Sequence, residues 1–405
     1  MEIRPFQGLR PRPELASEVA SPPYDVVDGE EARELSRGNP RSFLHVVRAE
    51  IDLPVGTDPY SPAVYEMARG NLDWLRKTGA LERETSPSLY IYQQEVGGHR
   101  QKGLVSICHV DDYRNERIKK HERTQPRKVE DRTRLNASLD AHPGPVFLMY
   151  RDEREIDTLV ERIQQDAPLM DFTALDGVRH TIWKIVRTRP LVNAFAKIGV
   201  AYVADGHHRS ASAARLGEER QAANPHHTGR EDYNWFLTVN FPASQLKILP
   251  YNRLVRDLNG YSRKQFLRKL QSVVPLREQA GPSSDRVRNV SMYLENRWYG
   301  FQFPEEEYSD PARSLDVSRL QETVLGPILG IEDPRTSDRI DFIGGVRGPT
   351  ELENRVTRGD GPVAFAMHPV SVEQIMDIAD AGKIMPTKST WFEPKLRSGL
   401  FIHTI

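Results

Sequence analysis

The chain has 405 residues, enough for two or three hydrophobic cores, and its 56 Lys and Arg residues nearly balance 57 Asp and Glu residues. The net charge of -1 gives no overall attraction to nucleic acid, so any basic site must be local. The one cysteine, Cys108, excludes an internal disulfide, no run approaches 18 apolar residues, and the N-terminus lacks the apolar stretch of an export signal. We therefore expect a cytoplasmic protein without a membrane span.

The first two thirds of the chain alternate between helix and strand patterns. Ser61 followed by Pro62 is typical of a helix start, and Gly79 is typical of the end of that helix. Strand-like runs flank Gly97 and Gly98, which predicts a hairpin. The predicted elements that follow the first helix are strands at 89–96, 104–110, 146–150 and 180–186, a helix at 191–198, and strands at 200–204 and 235–241.

The last third continues this alternation. It predicts a hairpin of 290–294 and 298–303, a helix at 315–329, a strand at 340–343, and a helix that starts with a capping box of Ser371 and Gln374. The order of the elements predicts a mixed α/β protein. Clusters of Pro, Ser and Asp indicate loops or boundaries, and the predicted domains are 1–142, 143–282 and 283–405.

One segment of five consecutive polar or small residues stands between the strand at 200–204 and a helix rich in alanine. Gly206 lets a ligand approach the backbone, and Arg209 is placed to fork onto phosphate oxygens from the first helical turn. His207 and His208 add donors, and Asp205 adds a carboxylate that suits Mg²⁺ or a proton. This strand-turn-helix predicts a phosphate site at the helix N-terminus. The alternative is a helix that Asp205 merely caps.

The stretch 113–134 contains nine Lys or Arg residues and four acids. Cations such as Lys120 and Arg123, with the neighbouring Thr124, suit a polyphosphate, and Glu122 among them suits a proton acceptor. The alternative interpretation is a solvated charged face. The stretch carries no recognisable DNA-reading module, so sequence-specific nucleic-acid binding is not expected.

Lys388, Ser389 and Thr390 place an ammonium and two hydroxyls in succession, a set that can collect oxygens of a phosphate or a carboxylate. A surface turn is the competing interpretation. Near the N-terminus, Tyr24 and Asp25 follow two prolines, where they suit a substrate amine or a metal. That segment is otherwise a rigid entry to a strand.

Four segments together resemble the prokaryotic family known as domain of unknown function 1015. They are YVADGHHRSASAARL at 202–216, PPYDV at 22–26, HERT at 121–124, and MPTKST at 385–390. The Gly-His-Arg core is also similar to the Gly-x-x-Arg box of the ParB and sulfiredoxin superfamily, whose members include free-serine kinases. The resemblance implies a ParB/sulfiredoxin-like nucleotide-binding core at 143–282 with additional α/β domains.

That resemblance implies that the protein is a nucleotide-dependent kinase, which phosphorylates a small molecule. Free L-serine is the expected acceptor. The expected nucleotide is ATP or ADP. It is expected to contact Gly206, His207, His208 and Arg209, together with the basic stretch and the Lys-Ser-Thr triplet. Asp205 is expected to hold Mg²⁺, Glu122 to accept the proton, and His208 to assist the reaction, with Lys388 steadying the transferred group. The alternative is a ParB-like nucleotide-binding switch without metabolic turnover. The sequence does not predict the oligomeric state, and a homodimer is one alternative.

Overall fold

The structure is a computed structural model that describes residues 1–284, 286–306 and 308–405. Contacts within the chain divide it into two compact units. The first unit contains Met1–Lys120, Thr124–Leu246 and Pro394–Ile405, and the second contains His121–Arg123 and Lys247–Glu393. This division differs from the predicted borders at 142 and 282, because strands on both sides of residue 142 share one sheet. The mixed α/β class predicted from the sequence is confirmed.

Strands and helices alternate along the described residues. The strands are β1 (Ile3–Arg4), β2 (Leu9–Pro11), β3 (Leu81–Arg83), β4 (Leu89–Val96), β5 (His99–His109), β6 (Ile118–Lys119), β7 (Ala141–His142), β8 (Val146–Tyr150), β9 (Met170–Thr173), β10 (Arg179–Ile185), β11 (Ala201–Asp205), β12 (Trp235–Pro242), β13 (Lys247–Leu249), β14 (Tyr251–Val255), β15 (Leu276–Glu278), β16 (Asn289–Leu294), β17 (Arg297–Gln302), β18 (Ile340–Gly344), β19 (Val363–Ala366), β20 (Trp391–Glu393) and β21 (His403–Thr404).

The α-helices are α1 (Ala16–Val19), α2 (Gly29–Ser36), α3 (Leu44–Val47), α4 (Pro62–Lys77), α5 (Val110–Arg114), α6 (Pro126–Leu139), α7 (Arg154–Ile163), α8 (Arg189–Phe195), α9 (His207–Ala223), α10 (Arg263–Gln271), α11 (Asp316–Leu320), α12 (Gly348–Thr357) and α13 (Val372–Asp380). Within the described residues, none of them combines the length and the apolar composition that a membrane crossing requires.

The first unit is built on a mixed sheet of order β6-β11-β8-β12-β5-β4-β10-β9, with β1 paired to β5. The pairs β6 with β11 and β8 with β12 are parallel, and the remaining neighbours are antiparallel. The predicted hairpin is confirmed, because β4 and β5 pair from Tyr90 opposite Val105 to Val96 opposite His99. Helices pack on this sheet, and α9 follows β11 directly.

The sheet is buried on both faces, as its apolar strands predict. One core contains residues of β5, β8 and β11 with Phe195 and Ala213, and a second core gathers α3 and α4 with Leu135 of α6. Cys108 lies fully buried in the first of these cores. Burial raises the pKa of its thiol to about 12, so Cys108 is a packing residue.

The second unit contains an antiparallel sheet of order β15-β17-β16-β19-β14-β18. The predicted hairpin of β16 and β17 turns at Glu295 and Asn296, which both have positive φ. The predicted capping box is confirmed, because the Ser371 hydroxyl accepts from the Gln374 N–H and the Gln374 side chain accepts from the Ser371 N–H.

The helix predicted at 315–329 is shorter than expected. After α11, residues Gln321–Leu325 form a π-helical turn, in which the Gly326 N–H bonds to the Gln321 carbonyl at 3.0 Å. Pro327 explains the difference, because it has no N–H to donate and it disfavours α conformation at the residue before it.

Gly103 lies in β5, where an added Cβ would stand 2.6 Å from Val239 Cγ1 and 2.7 Å from Phe241 Cζ. We expect Gly103→Ala to lower the free energy of unfolding by about 1–3 kcal/mol, because the interior has no room for a methyl group. Gly70→Ala is the matched control, since no atom lies within 4 Å of that position in α4. It should raise stability by up to about 1 kcal/mol through helix propensity. Urea unfolding measures both, and equal effects would contradict the packing argument.

Candidate functional site

The predicted strand-turn-helix is present at residues 201–223. β11 ends at Asp205, and α9 begins at His207, three residues earlier than the alanine-rich run indicates. A bulge interrupts the end of β11, because Val203 pairs with Leu148 while Asp205 pairs with Phe147. Bulges of this kind redirect a side chain and are common beside functional sites. Here the bulge sets the direction of the Asp205 carboxylate.

Gly206 is the N-cap of α9 and adopts a left-handed conformation with a φ of 95°. An added Cβ would lie 3.0 Å from Arg209 Nε and 3.1 Å from Arg209 Cζ, so both backbone and space favour glycine. Gly206 occupies the N-cap position, and Asp205 before it is the last residue of β11. A 17-residue helix ends here in backbone N–H groups that have no intrahelical acceptor.

Arg209 points back from the first turn of α9 toward the end of β11. Its Nη2 donates to Asp205 Oδ2 at 2.7 Å, and its Nη1 donates to the Pro145 carbonyl. Its Nε is buried and has no hydrogen-bond acceptor within the described residues. Protein acceptors thus hold both terminal nitrogens of the guanidinium, whereas its Nε–H group has no acceptor within the described residues.

Asp205 receives a second cation from the far end of the chain. Lys395 Nζ lies 3.3 Å from Asp205 Oδ1, and the two side chains are only 12% and 25% exposed. Burial by itself raises the pKa of the Asp205 carboxyl, but the charges of Lys395, Arg209 and His207 outweigh burial and hold it well below its usual range. Asp205 is therefore a poor proton acceptor at neutral pH.

The N-terminal Tyr24 and Asp25 lie beside this turn, in the same unit. The Arg132 guanidinium stacks on the Tyr24 ring at 4.1 Å from the ring centroid and donates to Asp131 Oδ2 at 2.8 Å. Burial lowers the pKa of the Arg209 guanidinium, but the negative charges of Asp25 and Asp205 raise it above its ordinary value. Tyr24 and Asp25, which the sequence predicts to bind substrate, thus lie close to the 205–209 turn, which it predicts to bind phosphate.

Tyr24 and Asp25 line a cleft of about 390 Å³, here called the Asp25 cleft. Its volume is within the range of small-molecule sites. Tyr60 and Pro59 form part of the wall, and the remaining lining residues are Val26, Val27, Asp28, Arg48, Glu50, Lys128, Asp131 and Arg132. Asp25 is exposed, and its carboxylate makes no hydrogen bond or ion pair within the described residues. Charges of both signs therefore line one concave surface.

The two histidines of the turn have different environments. His208 is half-buried, and its Nε2 accepts from the Gln125 N–H at 3.1 Å. A ring nitrogen that accepts carries no proton, so in this arrangement His208 has no Nε2 proton to donate to a phosphate. His207 is buried, and its charge contributes to the low pKa of Asp205. Gln125 is the N-cap of α6, so His208 joins the N-termini of α6 and α9.

The other predicted site residues are divided between the units. Lys120 and Thr124 belong to the first unit, whereas Glu122 and Arg123 belong to the second. Their roles stay predictions.

The Lys-Ser-Thr triplet also belongs to the second unit. There the Met385 N–H donates to the His121 carbonyl at 2.8 Å, and Thr390 Oγ1 lies 3.5 Å from His121 Nε2. Lys388 has a positive φ, and its Nζ lies 5.4 Å from the Tyr251 ring centroid. Ser389 is buried and donates to the Pro386 carbonyl at 2.5 Å. The HERT and MPTKST segments, far apart in sequence, are thus neighbours.

Among the described residues, no three His, Cys, Asp or Glu side chains are grouped closely enough to hold a metal ion. Asp205, the predicted Mg²⁺ ligand, has each carboxylate oxygen on a cation. Mg²⁺ usually needs only one or two protein carboxylates when phosphates supply other ligands, but Asp205 would have to release a cation first.

Sequence reasoning missed Lys395 and Arg132 as parts of the site. Lys395 lies 190 residues from its partner Asp205, and nothing in its neighbourhood Glu393-Pro394-Lys395 indicates an ion pair. Arg132 is one of nine cations in a stretch where the spacing singles out none of them. The helical register offers a partial signal, because Asp131 and Arg132 fall at the middle of α6 and are both buried or half-buried.

Lys395→Met should lower the free energy of unfolding at pH 7 by about 1–2 kcal/mol, because a partly buried carboxylate loses one of two cations. The folded-state pKa of Asp205 is depressed, so its stabilisation is complete above the unfolded value of about 3.9 and is lost as pH falls through the folded value. The unfolded chain lacks this ion pair, so the cost of Lys395→Met should stay nearly constant from pH 7 to about pH 4 and shrink only as pH falls toward the folded-state pKa of Asp205.

Urea unfolding at pH 7, 5 and 3 measures this cost. Lys197→Met is the control, because Lys197 pairs with Glu155 on the surface, with 61% and 46% of the side chains exposed. It should change stability by less than about 0.5 kcal/mol at each pH. A Lys395→Met cost that is absent at pH 7, or that grows as pH falls, would contradict the ion-pair interpretation.

Comparisons with known proteins give one family and several distant structures. A model of the family described as protein of unknown function (DUF1015) matches residues 3–318. SbnI with C-terminal truncation from Staphylococcus aureus is 13% identical, with 74% of this chain and 86% of that chain covered and a TM-score of 0.40. A mutant of free serine kinase in complex with AMP is 10% identical, with 73% and 92% covered and a TM-score of 0.39.

A conserved hypothetical protein from Pyrococcus furiosus is 11% identical, with 73% of this chain and 94% of that chain covered and a TM-score of 0.36. No curated protein matches the chain. At these identities and TM-scores, none of the three structures assigns an activity to this chain.

Proposed function

The chain belongs to the DUF1015 family of proteins of unknown function, and we propose that it is a nucleotide-dependent kinase of a small hydroxylated metabolite. In this proposal the turn at 205–209 binds the phosphates of ATP or ADP. The Asp25 cleft holds the acceptor, for which free L-serine is the first candidate.

The N-terminus of α9, which begins directly after the left-handed Gly206, is the observation that carries the proposal. The helix dipole and the first N–H groups favour a negative charge, and Gly206 leaves the backbone open to close approach. Arg209 adds a permanent cation whose Nε has no acceptor within the described residues. A phosphate is the anion that best matches N–H groups and a planar guanidinium together.

The charges at the turn are close to balanced before any ligand binds. Arg209 and Lys395 face the carboxylate of Asp205, and the negative charge of Asp25 also acts on Arg209. Arg132 adds a half-buried cation nearby, which Asp131 neutralises in part. The buried Nε of Arg209, which has no acceptor within the described residues, is therefore what favours an anion here.

The Asp25 cleft supports an acceptor that carries both charges. Asp25 offers a carboxylate to an ammonium group, whereas Lys128 and Arg132 offer cations to a carboxylate. A free amino acid is a zwitterion, so serine fits this chemistry. Its hydroxyl would be the group that receives phosphate.

Phosphoryl transfer needs the acceptor hydroxyl to lose its proton as the phosphoryl group arrives. Asp205 is poorly suited, because two cations hold its pKa low. Glu122 is the proposed proton acceptor, as predicted from the sequence, and Lys388 is the proposed cation on the transferred group. When Mg²⁺ accompanies the nucleotide, it supplies charge neutralisation at the donor phosphates.

Turnover separates this proposal from a ParB-like switch that binds nucleotide without consuming it. The experiment is to incubate the purified protein with ATP, ADP, CTP or pyrophosphate and a panel of amino acids, and to follow phosphorus NMR. A new phosphomonoester signal that depends on serine supports the kinase. Nucleotide binding without any product would favour the switch, and the absence of both would refute nucleotide chemistry.

Arg209→Ala should weaken nucleotide binding by about 1.5–3 kcal/mol, the range for a charge-assisted hydrogen bond. Calorimetry measures the affinity, and circular dichroism verifies the fold. Arg209→Lys is the matched variant, because it keeps the charge but cannot form the same planar fork. It should recover only part of the affinity. Unchanged nucleotide affinity in a folded Arg209→Ala protein would place the phosphates elsewhere.

Glu122→Gln and Asp25→Asn should have separable effects on the kinase reaction. Glu122→Gln should reduce kcat by about 10²- to 10⁴-fold with nucleotide affinity retained, because it removes only the proton acceptor. Asp25→Asn should mainly raise the KM for the amino acid, because it removes the partner of the ammonium group. Steady-state kinetics with each substrate varied makes the distinction. Wild-type kcat in Glu122→Gln would eliminate Glu122 as the base.

A further inference from the structure

The second unit has a cleft of its own, of about 380 Å³, here called the Arg123 cleft. All of its lining residues belong to that unit: Arg123, Asp310, Ala312, Arg313, Ser318, Gln321, Asp333, Pro334, Arg335, Ile384, Met385, Pro386 and Thr387. Two segments that the kinase proposal uses only in part, HERT and MPTKST, therefore contribute to one concave surface.

Backbone contacts explain why these segments meet. The Met385 N–H donates to the His121 carbonyl at 2.8 Å, which places Arg123 and Thr387 on the wall of the same cleft. The Ser389 hydroxyl closes the turn by donating to the Pro386 carbonyl at 2.5 Å. Met385 and Ser389 are both buried, so this part of the wall is fixed by packing.

Most charged side chains that line the cleft have an ion-pair partner. Arg313 pairs with Glu322 at 3.0 Å, and Arg335 pairs with Asp333 at 2.6 Å. Asp310 has Lys383 at 3.7 Å.

Arg123 differs from the other charged residues of the wall. It is exposed and has no ion pair or hydrogen bond from its side chain among the residues that the structure describes. It therefore carries the one unbalanced charge of the lining, and this charge is positive.

Thr387 adds a hydrogen-bond donor to the cleft that Arg123 lines. Its side chain is half-buried, and its hydroxyl makes no hydrogen bond within the described part of the chain. Beside these two groups the wall is apolar, with Ile384, Met385 and Pro334. A guanidinium and a hydroxyl over an apolar floor suit a ligand with one anionic group and an apolar body.

We propose that the Arg123 cleft binds a small organic anion, a carboxylate or a phosphate monoester, through the Arg123 guanidinium and the Thr387 hydroxyl. The anionic group lies against Arg123, and the apolar body covers Ile384 and Pro334. This proposal does not rest on the kinase activity. It gives Arg123 a ligand within the second unit, in place of the nucleotide predicted from the sequence.

Calorimetric titration of the full chain with phenyl phosphate and with benzoate tests the proposal, without any nucleotide. At least one probe should bind saturably, and Arg123→Ala should weaken that binding about tenfold, as expected for loss of a charge-assisted contact. Thr387→Val keeps the shape and should weaken binding about three- to fivefold. Arg358→Ala is the matched control and should change affinity less than about twofold, since Arg358 pairs with Asp360 and does not line the cleft.

A preference for phenyl phosphate identifies the anion as a phosphate, and a preference for benzoate identifies it as a carboxylate. Either preference supports the cleft. The proposal is overturned if neither probe saturates by about 20 mM, a concentration that covers weak millimolar sites, or if Arg123→Ala binds as well as wild type. Arg209→Ala separates the two proposals. Loss of binding in that variant alone would place the anion at the 205–209 turn, which would refute the Arg123 cleft and support the nucleotide site.

Discussion

The ion-pair group of Asp205, Arg209 and Lys395 is the constraint on which the first unit's site depends. Charged groups with this little exposure are costly unless each has a partner, so the three side chains fix one another. Lys395 belongs to the segment that returns to the first unit at residue 394. The carboxylate therefore ties the C-terminal segment to the end of β11. Gly206 is required in the same place, because any Cβ would displace Arg209.

This arrangement would order the proposed phosphate site before an anion arrives. Arg209 loses most of its rotamer freedom to the Asp205 carboxylate and the Pro145 carbonyl, so a phosphate does not have to order it. The same contacts limit what Asp205 can do. A carboxylate shared by two cations is a weak base, and it is a weak metal ligand until one cation moves. Stability and chemistry therefore place opposing demands on this residue.

The sequence predicts those features that depend on neighbours along the chain. The hairpins at Gly97 and at Glu295, the start of α4 at Pro62 and the capping box at Ser371 all follow from short-range turn and cap chemistry. The turn at 205–209 was identifiable for the same reason. Lys395 was not, because an ion pair across 190 residues depends on how strands assemble into the sheet. The π-helical turn was missed where Pro327 competes with a strong apolar periodicity.

The residues of the proposed kinase belong to two units. Arg209 and Lys395, the proposed phosphate cations, share the first unit with Asp25 of the proposed acceptor cleft. Under the proposal, binding of donor and acceptor therefore needs only first-unit residues. Glu122, the proposed proton acceptor, is a residue of the second unit. Nucleotide affinity and turnover should then respond to different substitutions, because affinity depends on charge and hydrogen bonds, whereas turnover also depends on removal of the hydroxyl proton. The distinction between kinase and switch thus reduces to whether the acceptor hydroxyl loses its proton to a carboxylate.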